Sequence, residues 1–116
     1  MSYTDNQLRN LAQQNPKELI RIITSPNGDA KTLTSGAEIL GEEVSDENLV
    51  APVFRQLLKH AHAFVREGAM NGVSSFFSNK PLPRDILERL RAIAKSDPSP
   101  TNKEVAADLV RTFEKK

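Results

Sequence analysis

The apolar residues of this 116-residue chain recur every three or four positions, the spacing that brings side chains to one side of an α-helix. Seven such segments follow one another, separated by the Pro, Gly, Asn, Asp and Ser residues that are typical of helix ends. No segment of strand length alternates apolar and polar residues. The pattern therefore predicts an all-α protein.

Short polar motifs indicate where several of these helices begin. Thr4 and Gln7 fit a capping box for the first helix, and Thr101 and Glu104 fit another for the seventh. Pro83 suits the first position of the sixth helix, where its missing N–H costs nothing. We expect the seventh helix to continue to residues 114–116.

One stretch of the chain recurs in altered form. Residues 32–41, 64–73 and 101–110 can be aligned so that small residues share positions. Self-similarity at a period of a few tens of residues is typical of a solenoid. We expect a single domain, an α-α superhelix in which each hairpin has a first helix, A, and a second helix, B. It consists of an N-terminal cap helix, 1–15, and three hairpins, 16–44, 45–78 and 83–116.

The openings of two B helices resemble the HEAT-repeat family. Val65-Arg66-Glu67-Gly68-Ala69 and Lys103-Glu104-Val105-Ala106 look like the apolar-basic-x-x-small motif of that family, and Asp97-Pro98 looks like its turn between helices. The resemblance covers about residues 16–116 and implies a HEAT-like α-solenoid.

The resemblance also implies a hydrogen-bond ladder between repeats, made by the basic residue of each B helix and the turn Asp. Only Arg66 and Lys103 match the basic position, and only Asp97 matches the acid. Thr34 replaces the basic residue in the first repeat, and 60–62, His-Ala-His, replaces the Asp-Pro turn in the second. We expect a structural role for this position.

Two glycines four residues apart, Gly68 and Gly72, lie on the apolar side of the fifth helix. A glycine inside a helix costs up to about 1 kcal/mol relative to alanine. We therefore predict that the backbone of a neighbouring helix approaches closely here. The buried residues predicted for the three B helices are Leu33, Gly36, Ala37, Leu40 and Val44; Val65, Gly68, Ala69, Gly72, Val73 and Phe76; and Val105, Ala106, Leu109, Val110 and Phe113.

The opposite, solvent-facing side of the B helices is named here the B face. HEAT-like repeat proteins use this surface for binding, and in this chain it is mildly acidic, with Met70 as an adaptable apolar contact. We predict a non-enzymatic scaffold that binds a protein with a basic surface, or a basic peptide, by this face. An ordinary solvated helix face is the alternative. The predicted B-face residues are Glu38, Glu42, Glu67, Met70, Asn71, Glu104, Asp108 and Arg111.

Binding of nucleic acid is the second function class that we consider. The chain has 16 basic and 15 acidic residues, a formal net charge of +1, so no overall field concentrates polyanions. Basic residues do occur on the A helices and adjacent turns, but Glu47, Asp85 and Glu88 interrupt them. The basic residues of this alternative are Arg55, Lys59, His60, Arg84, Arg89 and Arg91.

Motifs for catalysis, metals or cofactors are missing from the sequence. His60 and His62 are the only histidines, and their spacing is not the i, i+4 spacing of a helical metal site. No Gly-rich phosphate loop or serine elbow occurs. We expect no enzymatic activity and no cofactor. Without cysteine, a signal peptide or an apolar run near ~18 residues, we expect a cytoplasmic protein with no membrane segment.

Overall fold

The computed structural model describes residues 3–115, and this part of the chain contains seven α-helices and no strand. The all-α prediction is therefore confirmed. Three residues of the predicted domain lie outside the described residues: Met1, Ser2 and Lys116. Lys116 is also the predicted end of the seventh helix. The helices are α1 Asp5–Gln14, α2 Pro16–Ile23, α3 Ala30–Glu43, α4 Glu47–Leu57, α5 Ala63–Phe76, α6 Arg84–Ser96 and α7 Pro100–Glu114.

The first helix begins as its polar motif predicts. The Thr4 side chain accepts a hydrogen bond from the Gln7 backbone N–H, and the Gln7 side chain accepts one from the Thr4 N–H. The sixth helix differs by one position, because Pro83 has extended backbone and is the residue before α6, the N-cap. Both helices nevertheless start within one residue of the predicted position.

The predicted start of the seventh helix was wrong. Ser99 is the N-cap of α7, and its hydroxyl accepts from the Asn102 N–H at 3.2 Å. Pro100 is the first helical residue, which is the position that proline favours. Thr101 is already inside the first turn and exposed, so it does not cap the helix.

The most extensive helix contact joins α3 and α5, and the two helices run parallel, because Gly68 meets Thr34 and Gly72 meets Ala37. A Cβ atom on Gly68 would lie 2.6 Å from the Thr34 carbonyl oxygen, and one on Gly72 would lie 2.5 Å from the Ala37 carbonyl oxygen. The predicted close approach of a neighbouring backbone is therefore confirmed. Gly41 takes part as well, because a Cβ there would lie 2.2 Å from the Gly72 carbonyl oxygen. The predicted buried residues of α3 did not include it.

The remaining helices pack around this pair. Helix α1 packs on α2 and α3, α2 on α3, and α4 on both α3 and α5. Helices α6 and α7 pack on each other, and α7 also contacts α5. The buried apolar residues form one continuous core. Within residues 3–115, no helix is both long enough and apolar enough to span a membrane.

The apolar side of α7 is less buried than predicted. Ala106 and Phe113 are buried, but Val105, Leu109 and Val110 are only half-buried. Among the described helices, α7 packs mainly on α5 and α6, which leaves its far side partly accessible. The apolar pattern marks which side of the helix faces inward, and the number of neighbouring helices limits how deeply that side is buried.

Candidate interaction surface

The beginning of α5 is held by an ion pair with the turn between α6 and α7. The Arg66 Nε and Nη2 atoms donate to the two Asp97 oxygens at 2.8 and 3.0 Å, and the two side chains are only 12% and 4% exposed. Arg66 Nη1 also donates to the carbonyl oxygens of His60 and Ala61 at 2.8 and 3.0 Å. The Arg66 hydrogen bonds stabilise the carboxylate, and they lower the pKa of Asp97 from its ordinary value against the opposing effect of burial.

The contact expected between Arg66 and Asp97 is thus present, 31 residues apart in sequence. Lys103 makes no equivalent contact: its side chain is exposed and forms no ion pair within the described part of the chain. Thr34 makes a local bond instead, since its hydroxyl donates to the Ala30 carbonyl at 2.7 Å. Its short side chain leaves room for the close approach of Gly68.

The His-Ala-His turn before α5 and the Asp-Pro-Ser turn before α7 share one hydrogen bond, from the N–H of the third residue to the side chain of the first. The Asp97 carboxylate accepts from the Ser99 N–H at 2.9 Å, and His60 Nδ1 accepts from the His62 N–H at 3.0 Å. Ser99 then caps α7, and His62 caps α5 by accepting from the Phe64 N–H at 3.1 Å. The two histidines therefore act as turn and cap residues, as expected if His-Ala-His replaces the Asp-Pro turn.

A buried asparagine, absent from the sequence predictions, joins α7 to this region. Asn102 is 1% exposed, and its Nδ2 donates to the Ala63 carbonyl at 2.9 Å. The aligned positions of the other B helices hold Leu33 and Val65, both buried. A polar residue in an otherwise apolar aligned position is the signal that could have identified it.

Met70 was wrongly predicted to lie on the B face; it is fully buried. Successive residues of an α-helix are about 100° apart, so Met70 projects roughly opposite Gly68. Gly68 and Gly72 face α3, and α5 is also packed against α7. Because neighbours cover both flanks of α5, its buried side is wider than a helix with one neighbour would have, and it includes Met70.

The other seven predicted B-face residues are exposed or half-exposed. Asn71 of α5 donates to Glu38 of α3 at 2.8 Å, which joins the outer sides of these two helices into one surface. Glu42 is paired with Arg9 of α1 at 3.0 Å. One of the predicted acids is therefore neutralised by a helix outside the three hairpins.

The acids of the B face differ in whether a cation accompanies them. Asp108 is paired with Arg111 one turn further along α7, and both side chains are exposed. Glu67 on α5 and Glu104 on α7 have no ion pair within residues 3–115. Glu38 on α3 has no ion pair there either, and it accepts only from the neutral Asn71 side chain, so the negative charge available to a partner lies on these three acids.

Phe64 is the one exposed large hydrophobic residue in the described part of the chain, with 64% of its surface accessible. It precedes Glu67 by three residues and Asn71 by seven, so it lies on the same side of α5 as both. The predicted B-face residues did not include it, although an apolar residue opposite the buried side of a helix indicates a possible contact site. Beside its ring lies a shallow cavity of about 230 Å³ lined by Ala30, Lys31, Thr34 and Ser35.

Half of the basic residues of the nucleic-acid alternative are paired with acids. Three of the six residues of the nucleic-acid alternative form ion pairs: Arg55 with Asp85, Arg84 with Glu88, and Arg91 with Glu114. The Arg55 hydrogen bond lowers the pKa of Asp85. Lys59 and Arg89, which form no ion pair in the described chain, line a groove of about 260 Å³ between α4 and α6.

Among residues 3–115, no group of three or more His, Cys, Asp or Glu side chains is placed to hold a metal ion. No family model, curated protein or solved structure matches the chain.

Proposed function

We propose that the chain is a HEAT-like α-solenoid, a superhelix of three hairpins with an N-terminal cap helix. The parallel packing of α3 and α5, both second helices of proposed hairpins, supports this arrangement. The matching hydrogen bonds of the two turns, which begin at His60 and Asp97, support it too. The Arg66–Asp97 ion pair links consecutive hairpins, as a ladder between repeats requires.

The proposed activity is non-enzymatic binding of another protein by the B face. The observation that carries it is the set of B-face acids without a cationic partner, Glu38, Glu67 and Glu104, on the neighbouring helices α3, α5 and α7. Unpaired charges of one sign on one surface favour a partner of opposite charge and exclude partners of the same charge. The partner is a protein surface or peptide rich in Lys and Arg, and the chain acts as a small scaffold or adaptor.

Nucleic acid is the second candidate, supported by the groove that Lys59 and Arg89 line. Phosphate binding requires several cations that can exchange their counterions for phosphates. Because Arg55, Arg84 and Arg91 are already paired with acids of the chain, few cations remain for this purpose. We therefore rank this function below protein binding.

Two charge-reversal variants with equal change in net charge separate the candidates. The first is Glu67→Lys/Glu104→Lys, on the B face, and the second is Glu47→Lys/Glu88→Lys, on α4 and α6. All four residues are exposed or half-exposed, so neither variant should disturb the core. Proteins captured from the native host by the wild-type chain are identified by mass spectrometry, and the affinity of the purified partner is measured for both variants.

Protein binding by the B face predicts at least a tenfold loss of affinity, about 1.4 kcal/mol, for the first variant and little change for the second. Equal losses for the two variants would mean that only net charge matters, which contradicts a localised site. A duplex DNA probe is titrated in parallel. Nanomolar DNA binding that strengthens in the second variant and falls steeply with salt would instead establish the nucleic-acid function.

A further inference from the structure

We propose that Phe64 is the apolar anchor of the B face, and that it contacts one large apolar side chain of a partner segment flanked by Lys or Arg. The inference rests on the proposed function and specifies the chemistry of the bound segment. A basic surface alone would satisfy the acids, whereas Phe64 requires an apolar residue among the basic ones.

The shape of the surface around Phe64 supports this proposal. Phe64 is 64% exposed and borders a cavity of about 230 Å³ with mostly apolar walls. Aromatic residues, Phe among them, are enriched at the centre of protein interfaces, where the strongest contacts fill pockets. A single leucine or phenylalanine side chain of a partner could occupy the pocket and cover the ring.

The backbone that carries Phe64 is held rigidly, which also supports the proposal. The Phe64 N–H is bonded to the His62 side chain, and the Ala63 carbonyl accepts from Asn102 of α7. Two residues further along, Arg66 is fixed by Asp97 and by two turn carbonyls. The backbone that presents the ring is therefore already ordered, so a partner does not have to order it on binding.

The charged residues near Phe64 indicate which residues should flank the apolar residue of the bound segment. Glu67 follows Phe64 by three residues, a spacing at which two helical side chains are neighbours. Lys31 also lines the cavity and disfavours a cation inside it. A bound segment thus matches this surface when its apolar residue enters the cavity and its Lys or Arg residues lie towards Glu67.

The test uses two acetylated and amidated peptides, Lys-Lys-Leu-Lys-Lys and Lys-Lys-Ser-Lys-Lys, titrated into the ¹⁵N-labelled full-length chain and followed by NMR. We expect the leucine peptide to bind at least threefold more tightly and to shift the amide signals of Phe64, Glu67 and Asn71. Phe64→Ser should remove the difference between the peptides, and Phe64→Leu should retain most of it. Unchanged melting temperatures of both variants show that the fold is intact.

Equal affinity of the wild-type chain for the two peptides, no detectable binding of the leucine peptide, or shifts confined to other surfaces would each overturn the Phe64 proposal. The proposed function fails separately, when Glu67→Lys/Glu104→Lys binds the captured partner as tightly as the wild-type chain does. A concentration-dependent dimer that Phe64→Ser abolishes would identify a second copy of the chain as the occupant, and would also overturn the proposal.

Discussion

Replacing Gly41 by alanine tests the packing of α3 against α5 most directly. The added Cβ would lie 2.2 Å from the Gly72 carbonyl oxygen and 2.7 Å from its carbonyl carbon and Cα, whereas ordinary contact begins at 3.4 Å. All three atoms belong to the backbone, so no side-chain rotation relieves the overlap and the two helices must move apart. We place the cost at the upper end of the ~1–3 kcal/mol typical of overpacking.

Alanine is also a better helix former than glycine by up to about 1 kcal/mol. The expected net loss in the free energy of unfolding is therefore about 2 kcal/mol. Urea unfolding followed by circular dichroism measures it, and the melting temperature should fall by roughly 4 °C per kcal/mol.

The control is Ser75→Ala, an exposed position on α5, where only helix propensity changes. We expect this variant to be within about 0.5 kcal/mol of the wild-type chain. If Gly41→Ala were as stable as the wild-type chain or more stable, the backbones of α3 and α5 would not meet at this point.

Three further predictions concern the start of α5. Because the pKa of Asp97 is lowered on folding, the stability it contributes is complete above its unfolded pKa and is lost as pH falls through the folded one. Urea unfolding should therefore show a decline below about pH 4 that is weaker in Asp97→Asn; equal slopes would contradict this. Arg66→Ala should cost about 3–5 kcal/mol at neutral pH, since it leaves a buried carboxylate unpaired, and a loss below about 1 kcal/mol would refute a structural role. His62→Ala should cost about 1 kcal/mol, whereas His62→Asp should retain the cap and the stability.

Much of the fold could be predicted because local signals determine it. Helix positions follow from apolar spacing and from caps such as Thr4, and the pair Gly68 and Gly72 stands out because two glycines in one helix are unfavourable without a packing reason. Gly41 shares α3 with Gly36, so the same signal was present there, but its contact depends on which residue of α5 it meets. Met70 was misplaced because apolar spacing gives the centre of the buried side of a helix, while the number of neighbouring helices sets its width.

The candidate surface was predictable in outline only. Positions such as Glu67 and Glu104 follow from their place opposite the buried residues, and both are accessible. Which acids are neutralised depends on tertiary contacts, and the pairing of Glu42 with Arg9 joins residues that are far apart in sequence. Spacing rules do not give such contacts, so the charge left for a partner could be read only from the structure.

The meeting of Gly41 and Gly72 also limits how these two helices can change over evolutionary time. In most helix contacts, a larger side chain on one helix can be accommodated by a smaller one on the other. Here the atoms that a new Cβ would meet are backbone atoms of a residue that already lacks a side chain, so nothing remains to be trimmed. Second-site suppressors of Gly41→Ala are therefore expected to act by shifting a whole helix, and not by a compensating substitution at position 72.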